Sequence, residues 1–369
     1  MSVKKQKPKK IWPAILELEH FGSVLIPRSK ILIGLVKKRQ LRKAANYLFT
    51  CLNMVLKPNL VYSHPVTVVI DTGNICNLRC ALCITGRRKS RRPPKLLSFS
   101  DFKKIIDQAG KWAIQLDLYN WGEPLMNRDF FKMITYAKNK WHLRVETSSN
   151  LLLLTPETAK KLIKSGLDRL IVSLHGASPK TTRIYMKGGD FNKAIRNLKL
   201  LINLKQQLKS KTPSITWRYV VNSYNESGLA KAAQLAKKLA VDYFEPLPVR
   251  LDVGHNPEEI KTVIKKKGHW IPNDPKYQLY DVFGGKMINI IPDCFWPWEI
   301  TAVNSDGSIQ PCCVYSNPVF DFGNILETPF WKIWNNSNYQ LARKVIRKKI
   351  KTDHRTICGQ CVACFFIHQ

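Results

Sequence analysis

Acidic residues are scarce in this chain: 26 Asp and Glu stand against 60 Lys and Arg among 369 residues, a formal charge of +34. Solubility alone does not require such an excess. It points to an anionic partner, surface or substrate, or to a background of uniformly lysine-rich proteins. Long apolar runs are missing as well. No stretch reaches the roughly 18 residues that span a bilayer, so no transmembrane helix is expected. The opening Met-Ser-Val-Lys-Lys-Gln-Lys-Pro-Lys-Lys is basic and polar and carries no secretory signal, so a cytoplasmic protein is expected. No recognised RNA-binding module accompanies the basic runs. Cysteine, by contrast, is plentiful: the chain has 10, which in the cytoplasm are reduced and available as ligands.

Three of them lie in Cys76-Asn-Leu-Arg-Cys80-Ala-Leu-Cys83, directly after the apolar run Val66-Thr-Val-Val-Ile70. Three thiols in eight residues can ligate three corners of one iron–sulfur cube and leave the fourth iron open to a cosubstrate. Zinc more often takes two separated Cys-x-x-Cys pairs, and a disulfide framework belongs to a small secreted domain with an even cysteine count, so neither fits well. Tyr119-Asn-Trp-Gly-Glu-Pro-Leu125 ends the second predicted strand and puts the Glu123 carboxylate on a tight turn, where it can accept from an ammonium group. Val145-Glu-Thr-Ser-Ser-Asn150 and Ile171-Val-Ser-Leu-His-Gly-Ala177 end the third and fourth strands. Alone, each of these three segments reads as ordinary turn chemistry. Their order and spacing give them weight.

Taken together, the motifs resemble those of the radical S-adenosylmethionine (SAM) enzymes. The resemblance implies that Cys76, Cys80 and Cys83 hold a [4Fe–4S] cluster whose open iron binds SAM. An electron passed through it cleaves SAM to methionine and a 5′-deoxyadenosyl radical, which abstracts hydrogen from a substrate. It further implies Glu123 as the ligand of the SAM ammonium, Ser148, Asn150 and Ser173 near the ribose or methionyl part, and a reductant such as ferredoxin or flavodoxin. This sequence departs from the pattern in several places. Trp121 replaces the first Gly of Gly-Gly-Glu-Pro, Leu82 stands where an aromatic usually precedes the last cysteine, and His175 stands in place of Asp. Where relatives often carry an arginine for the SAM carboxylate, that contact must come from Lys187, Arg183 or nothing. A lone histidine such as His175 is more often structural than catalytic.

Strand-like runs near 66–72, 113–119, 143–148, 168–174, 214–221 and 241–246 alternate with helical patterns near 99–109, 127–140, 155–165, 190–208 and 226–239. Such βα repetition predicts an α/β fold with a parallel sheet, and the resemblance implies an open, partial (β/α)6 barrel with its motifs at the strands' C-terminal ends. Ser98, Ser100 and Thr155 are candidate helix caps. The expected division is a basic, partly amphipathic helical region over 1–62, a radical SAM core over 63–250, a linker over 251–284 and a small cysteine-rich extension over 285–369. Cys51, in a helical apolar context, reads as a packed thiol.

The extension holds Cys294, then Cys312-Cys313 after Gly307-Ser-Ile-Gln-Pro, then Cys358-Gly-Gln-Cys361-Val-Ala-Cys364. This arrangement resembles the SPASM/twitch modules of radical SAM enzymes. The resemblance implies one auxiliary [4Fe–4S] cluster on Cys294, Cys312, Cys358 and Cys361, with Cys313 and Cys364 left over; four thiolates suit zinc as well. The substrate, a small molecule, a lipid or a peptide, is expected between the barrel mouth and this module, with Tyr119, Arg218, Glu245, Trp296 and Trp298 as lining candidates. Basic residues concentrate at Lys4–Lys10, Lys37–Arg39, Arg87–Arg92 and Arg347–Lys351. In the N-terminal region, apolar stretches such as Ile31–Val36 flanked by Lys and Arg suit peripheral contact with the inner face of an anionic membrane, while a run such as Arg87–Arg92 equally suits nucleic-acid phosphates. The competing reading is a non-enzymatic, metal-stabilised nucleic-acid-binding protein, which gives no reason for Gly-Glu-Pro at a strand end.

Overall fold

The structure, a computed structural model, describes residues 25–251, 257–281, 285–287, 294–348 and 356–361. Lys4–Lys10 and Cys364 therefore lie outside the described residues. Six parallel strands run in sequence order: β1 (Thr67–Ile70), β2 (Gln115–Asp117), β3 (Arg144–Ser149), β4 (Arg169–Ser173), β5 (Ser214–Val221) and β6 (Tyr243–Pro248). Between them lie helices α3 (Phe99–Ala109), α4 (Phe130–Trp141), α5 (Pro156–Lys164), α6 (Pro179–Tyr185), α7 (Phe191–Gln207) and α8 (Leu229–Lys238). Ser98 caps α3 by accepting from Asp101 N at 3.0 Å, and Thr155 opens α5 with a capping box. The short helix α6, capped by Ser178, escaped the sequence pattern because seven residues carry too little periodicity.

The two faces of the sheet differ. Val68, Leu116, Val145, Leu170, Val172, Ile215 and Trp217 point outward into one core with the helix residues Phe102, Ile105, Met133, Leu198 and Leu201. Many of the alternate positions, which face the barrel interior, are charged or polar. Gln115 donates to Asp117 at 2.7 Å. Arg144 pairs with Glu146 at 2.7 Å, Arg169 bridges Glu146 at 3.5 Å and Glu245 at 3.6 Å, and Arg218 closes on Glu245 at 2.7 Å. Period-two alternation thus builds an apolar coat and an ion-paired lining from the same strands.

The C-terminal region does not hang off this barrel. Strand β9 (Ile300–Val303) pairs parallel with the free edge of β1, in register Thr67↔Ile300 to Ile70↔Val303, and antiparallel β10 (Ser308–Gln310) and β11 (Gly323–Asn324) extend the sheet to nine strands. The remaining strands among the described residues, β7 (Tyr280–Asp281) and β8 (Lys286–Met287), pair with each other. The 251–284 stretch, expected as a linker, carries helix α9 (Pro257–Lys267) and has its own core, in which Ile260, Ile264, Ile271 and Tyr280 pack with Leu82 of the cysteine loop and Val249. Helices α10 (Trp296–Glu299), α11 (Phe330–Trp334), α12 (Ser337–Lys348) and α13 (Ile357–Gln360) complete the C-terminal region, and α1 (Leu25–Lys37) and α2 (Leu41–Leu56) precede the barrel. Cys51 is half-buried against a small cluster of Leu35, Ala44, Tyr47 and Val66.

Candidate active site

Cys76, Cys80 and Cys83 lie on an irregular loop that leaves the C-terminal end of β1, each half-buried and none in a disulfide. The loop is anchored by Arg79 N donating to Lys187 O at 2.9 Å and by Ala81 N donating to Tyr185 O at 2.8 Å. It doubles back tightly at Gly86, where a Cβ would come 2.5 Å from Cys80 N. Backbone N–H groups of Leu78 and Gly86 point at the sulfurs of Cys76 and Cys83, at 3.4 and 3.5 Å. Burial, with Glu123 and Cys83 close by, pushes the Cys76 thiol up to about 11, and burial beside the other two thiols raises Cys80. Three neighbouring thiols, with N–H groups already aimed at two of them, are a donor set that suits an iron–sulfur cluster. Among the described residues no three His, Cys, Asp or Glu side chains converge tightly enough for a single ion; the thiolates of a cube sit on different irons and stand farther apart than ligands of one metal.

Beside the loop lies Glu123, buried at 4 % exposure at the start of the turn after β2. Its Oε1 accepts from Ser149 Oγ at 2.7 Å and Leu125 N at 3.2 Å, and its Oε2 accepts from Asn150 N at 2.9 Å. Burial raises its pKa against these bonds, so the carboxylate is a group that gains from a cation. Oε2 keeps a lone pair for one. Asn150 reaches back to Asn77 of the cysteine loop through its side chain at 2.9 Å. Ser148 and Ser173, on adjacent strands, hydrogen-bond each other at 2.8 Å, and Lys187 is exposed with only its backbone tied to the loop.

Two positioning residues were missed in the sequence. Ser149 is the closest partner of Glu123, and Asp71 accepts from Trp121 N at 3.3 Å and Gly73 N at 3.4 Å. Asp71 is buried and its carboxyl is pushed up to about 6. An acid directly after an apolar strand was the available signal for Asp71; Ser149 had none beyond its neighbours.

His175 is buried, its Nδ1 accepting from Val220 N at 3.2 Å, and burial and Arg218 push its pKa down to about 4. It is a neutral structural histidine that positions β5. Trp298, expected to line the substrate space, is fully buried in the core with its indole N–H on Pro58 O, because α10 precedes β9 at the strands' N-terminal end. Arg218 and Glu245 face the interior as an ion pair, and Tyr119 and Trp296 are half-buried. Arg92, read as part of a phosphate-facing run, is buried and bonded to Asp306, Asp321 and Ser308. It ties the cysteine loop's continuation to β10 and is closed to nucleic acid.

In the C-terminal region, Cys312 has Cys358, Cys313 and Cys361 as electrostatic neighbours, and Cys358 has Cys294 and Cys361; burial and these neighbours raise both thiols well above their ordinary value. Thr356 caps the turn that presents Cys358, with Cys358 N on its Oγ1 at 2.9 Å. Cys313 turns away toward Asp117 and Arg250 and packs against Val69, Ile300 and Ala302. A cavity of about 650 Å³ opens elsewhere, at the N-terminal ends of β3 to β6 among Arg144, Arg169, Tyr243 and Glu245. It lies away from the cysteine loop, whose position at the strands' C-terminal ends matches where barrels place chemistry.

A partial barrel with three loop cysteines after β1 and a carboxylate turn after β2 defines an enzyme of the radical SAM class. The radical SAM superfamily matches residues 70–213, and the SPASM iron–sulfur cluster-binding domain matches residues 294–364. Mycofactocin maturase MftC of Mycobacterium tuberculosis is 30% identical over 310 residues, 80% of this chain and 75% of that protein. The AdoMet-dependent heme synthase of Methanosarcina barkeri is 27% identical over 317 residues, 78% of this chain and 85% of that protein. Streptococcus suis SuiB bound to precursor peptide SuiA superposes with TM-score 0.58 at 14% identity, covering 87% of this chain and 75% of that one. This chain belongs to the radical SAM superfamily and carries a SPASM domain, which sets aside the non-enzymatic reading. Its cofactors are accordingly a [4Fe–4S] cluster with SAM and auxiliary iron–sulfur binding. No helix among the described residues is long and apolar enough to cross a membrane.

Proposed function

We propose that Cys76, Cys80 and Cys83 hold the SAM-binding [4Fe–4S] cluster, that Glu123 receives the SAM ammonium, and that Cys294, Cys312, Cys358 and Cys361 hold one auxiliary [4Fe–4S] cluster. When bound, the first cluster supplies the electron that cleaves SAM reductively and so starts hydrogen abstraction from the substrate. The chain's own part is to position. Ser149, Asn150 and Leu125 orient the carboxylate before SAM arrives, so little reorganisation is left to binding. Asn77 and Asn150 couple that carboxylate to the cysteine loop. The Ser148–Ser173 hydroxyl pair offers small donors and acceptors to the ribose or methionyl part without filling the space. Arg218, level with Ser173 in the strand register, offers a charged donor in the barrel interior to a polar group such as a peptide amide. MftC is named a maturase and SuiB is seen with a precursor peptide, which supports a peptide substrate here. A ferredoxin- or flavodoxin-type reductant would supply the electrons.

The observation that carries this reading is the buried Glu123 carboxylate, bonded by three donors and linked to the cysteine loop. Anaerobically reconstituted protein given dithionite and SAM should release 5′-deoxyadenosine, and Cys80→Ala should not. If iron is bound and no 5′-deoxyadenosine appears, the reading fails.

A further inference from the structure

Helix α2 is apolar on more than its inner side. Its buried face mixes Ala44, Tyr47 and Met54 with the polar Lys43, Asn46 and Thr50. Lys43 Nζ donates to Trp141 O, and Asn46 Nδ2 donates to His64 O at 3.0 Å and Trp112 O at 3.3 Å. Thr50 donates to Asn46 O at 2.9 Å. Its outer face carries Leu48, Phe49, Leu52, Val55 and Leu56, which are 50 to 79 % exposed. These five repeat at three, four and seven residues, so they form one continuous stripe. A surface helix normally turns a polar face outward, and a contiguous exposed apolar face of this kind marks an interaction site. Ile33 and Val36 of the preceding helix α1 are half exposed too.

The flanking charge has one sign. Residues 25–62 contain eight Lys and Arg, of which Lys43 is buried, and no Asp or Glu. Such a face repels a second copy of itself, since self-pairing would set like charges against like. An anionic surface with an apolar interior satisfies both features at once. We infer that the α1–α2 hairpin seats on the surface of an anionic phospholipid bilayer, its leucine–phenylalanine stripe entering the headgroup boundary and its Lys and Arg pairing with lipid phosphates. The three carbonyls that α2 binds belong to His64, Trp112 and Trp141, which precede β1, β2 and β3. The hairpin therefore covers the N-terminal ends of the strands, while Cys76, Glu123 and Asn150 follow the same strands at the other end. A bilayer docked here leaves the site mouth facing away from the lipid, open to a substrate from solution.

The test uses full-length, cluster-loaded protein and sedimentation with vesicles of phosphatidylcholine containing about one third phosphatidylglycerol, against phosphatidylcholine alone. Binding should require the anionic lipid and fall at least about tenfold in Leu48→Ser/Leu52→Ser/Val55→Ser and in Lys37→Glu/Lys38→Glu/Arg39→Glu. Iron content and thermal unfolding should stay unchanged, because the substituted side chains are exposed. The inference is overturned if no vesicle binding occurs, or if binding survives the serine variant. It is equally overturned if removing residues 1–24 raises binding, which would make them the stripe's own cover, or if the serine variant turns a dimer into a monomer in sedimentation velocity.

Discussion

Asn150 donates its side-chain amide to Asn77 at 2.9 Å, and this one bond joins the end of β3 to the cysteine loop. The backbone N–H of the same residue holds Glu123, so strand end, carboxylate turn and loop form one connected unit. Glu123→Gln keeps an acceptor for Ser149 but removes the charge that faces an ammonium. Charge-assisted bonds of this kind are worth about 2 kcal/mol, so SAM affinity should fall about thirtyfold with iron content unchanged. Asn150→Ala should weaken SAM by a smaller factor. Equilibrium binding on reconstituted protein measures both, and iron loss in the glutamine variant would reassign Glu123 to holding the loop.

Iron counting tests the two cysteine groups separately. Wild-type protein should hold about eight irons and the Cys76/Cys80/Cys83→Ala variant about four. Cys313→Ala should keep all of them, because Cys313 faces Asp117 and Arg250 rather than Cys358. Zinc in place of the retained iron would reject the auxiliary cluster.

Much of this was legible because strand ends carry the chemistry: Cys76, Glu123 and Asn150 each follow an apolar run that sequence periodicity finds. The joining of β9 to β1 was not legible. Ile300–Val303 is four residues long, and its partner lies more than two hundred residues earlier, a pairing that only the closed fold specifies. Arg92 misled for a related reason. Its neighbours Arg88, Lys89 and Arg91 are exposed, and only Asp306 and Asp321, far along the chain, make Arg92 a buried tie.

That tie has a measurable cost. Arg92→Met leaves Asp306 and Asp321 facing each other without their cation. The partners are partly exposed, so the loss lies between that of a surface and a buried pair, about 2–3 kcal/mol in denaturant unfolding. Adding Asp321→Asn should recover part of it. A double variant no better than the single one would show that Arg92 acts by packing alone.

Acid should weaken the fold through its histidines. His64, stacked on Trp112 at 4.5 Å, and His175 are both pushed down to about 4, mainly by burial. Between about pH 4 and the unfolded value near 6.5 the unfolded chain binds more protons than the native one, so stability rises with pH across that window. Each histidine contributes a slope of up to about 1.4 kcal/mol per pH unit there. His64→Phe, which keeps the stacking, should flatten the profile. An unchanged slope would place the acid sensitivity elsewhere.

Gly122 makes the sharpest claim about how the site is assembled. A Cβ there would come 1.9 Å from Gly73 O and 2.7 Å from Ile75 O, and Glu123 N bonds Ile75 O at 2.9 Å. The carboxylate turn and the strand leading to Cys76 therefore touch backbone to backbone, with room only for glycine. Gly122→Ala must push one away from the other. Overpacking of this kind costs about 1–3 kcal/mol, which the barrel can bear, but the shift falls between the cysteine loop and Glu123. The variant should fold with unchanged circular dichroism, retain less cluster than wild type and form no 5′-deoxyadenosine. Trp121→Gly is the control. Trp121 reaches Asp71 through its backbone N–H, which glycine keeps, so that variant should retain its iron and SAM cleavage. Activity in Gly122→Ala equal to wild type would mean that turn and loop are free to separate, and the connected unit of Asn77, Glu123 and Asn150 would lose its basis.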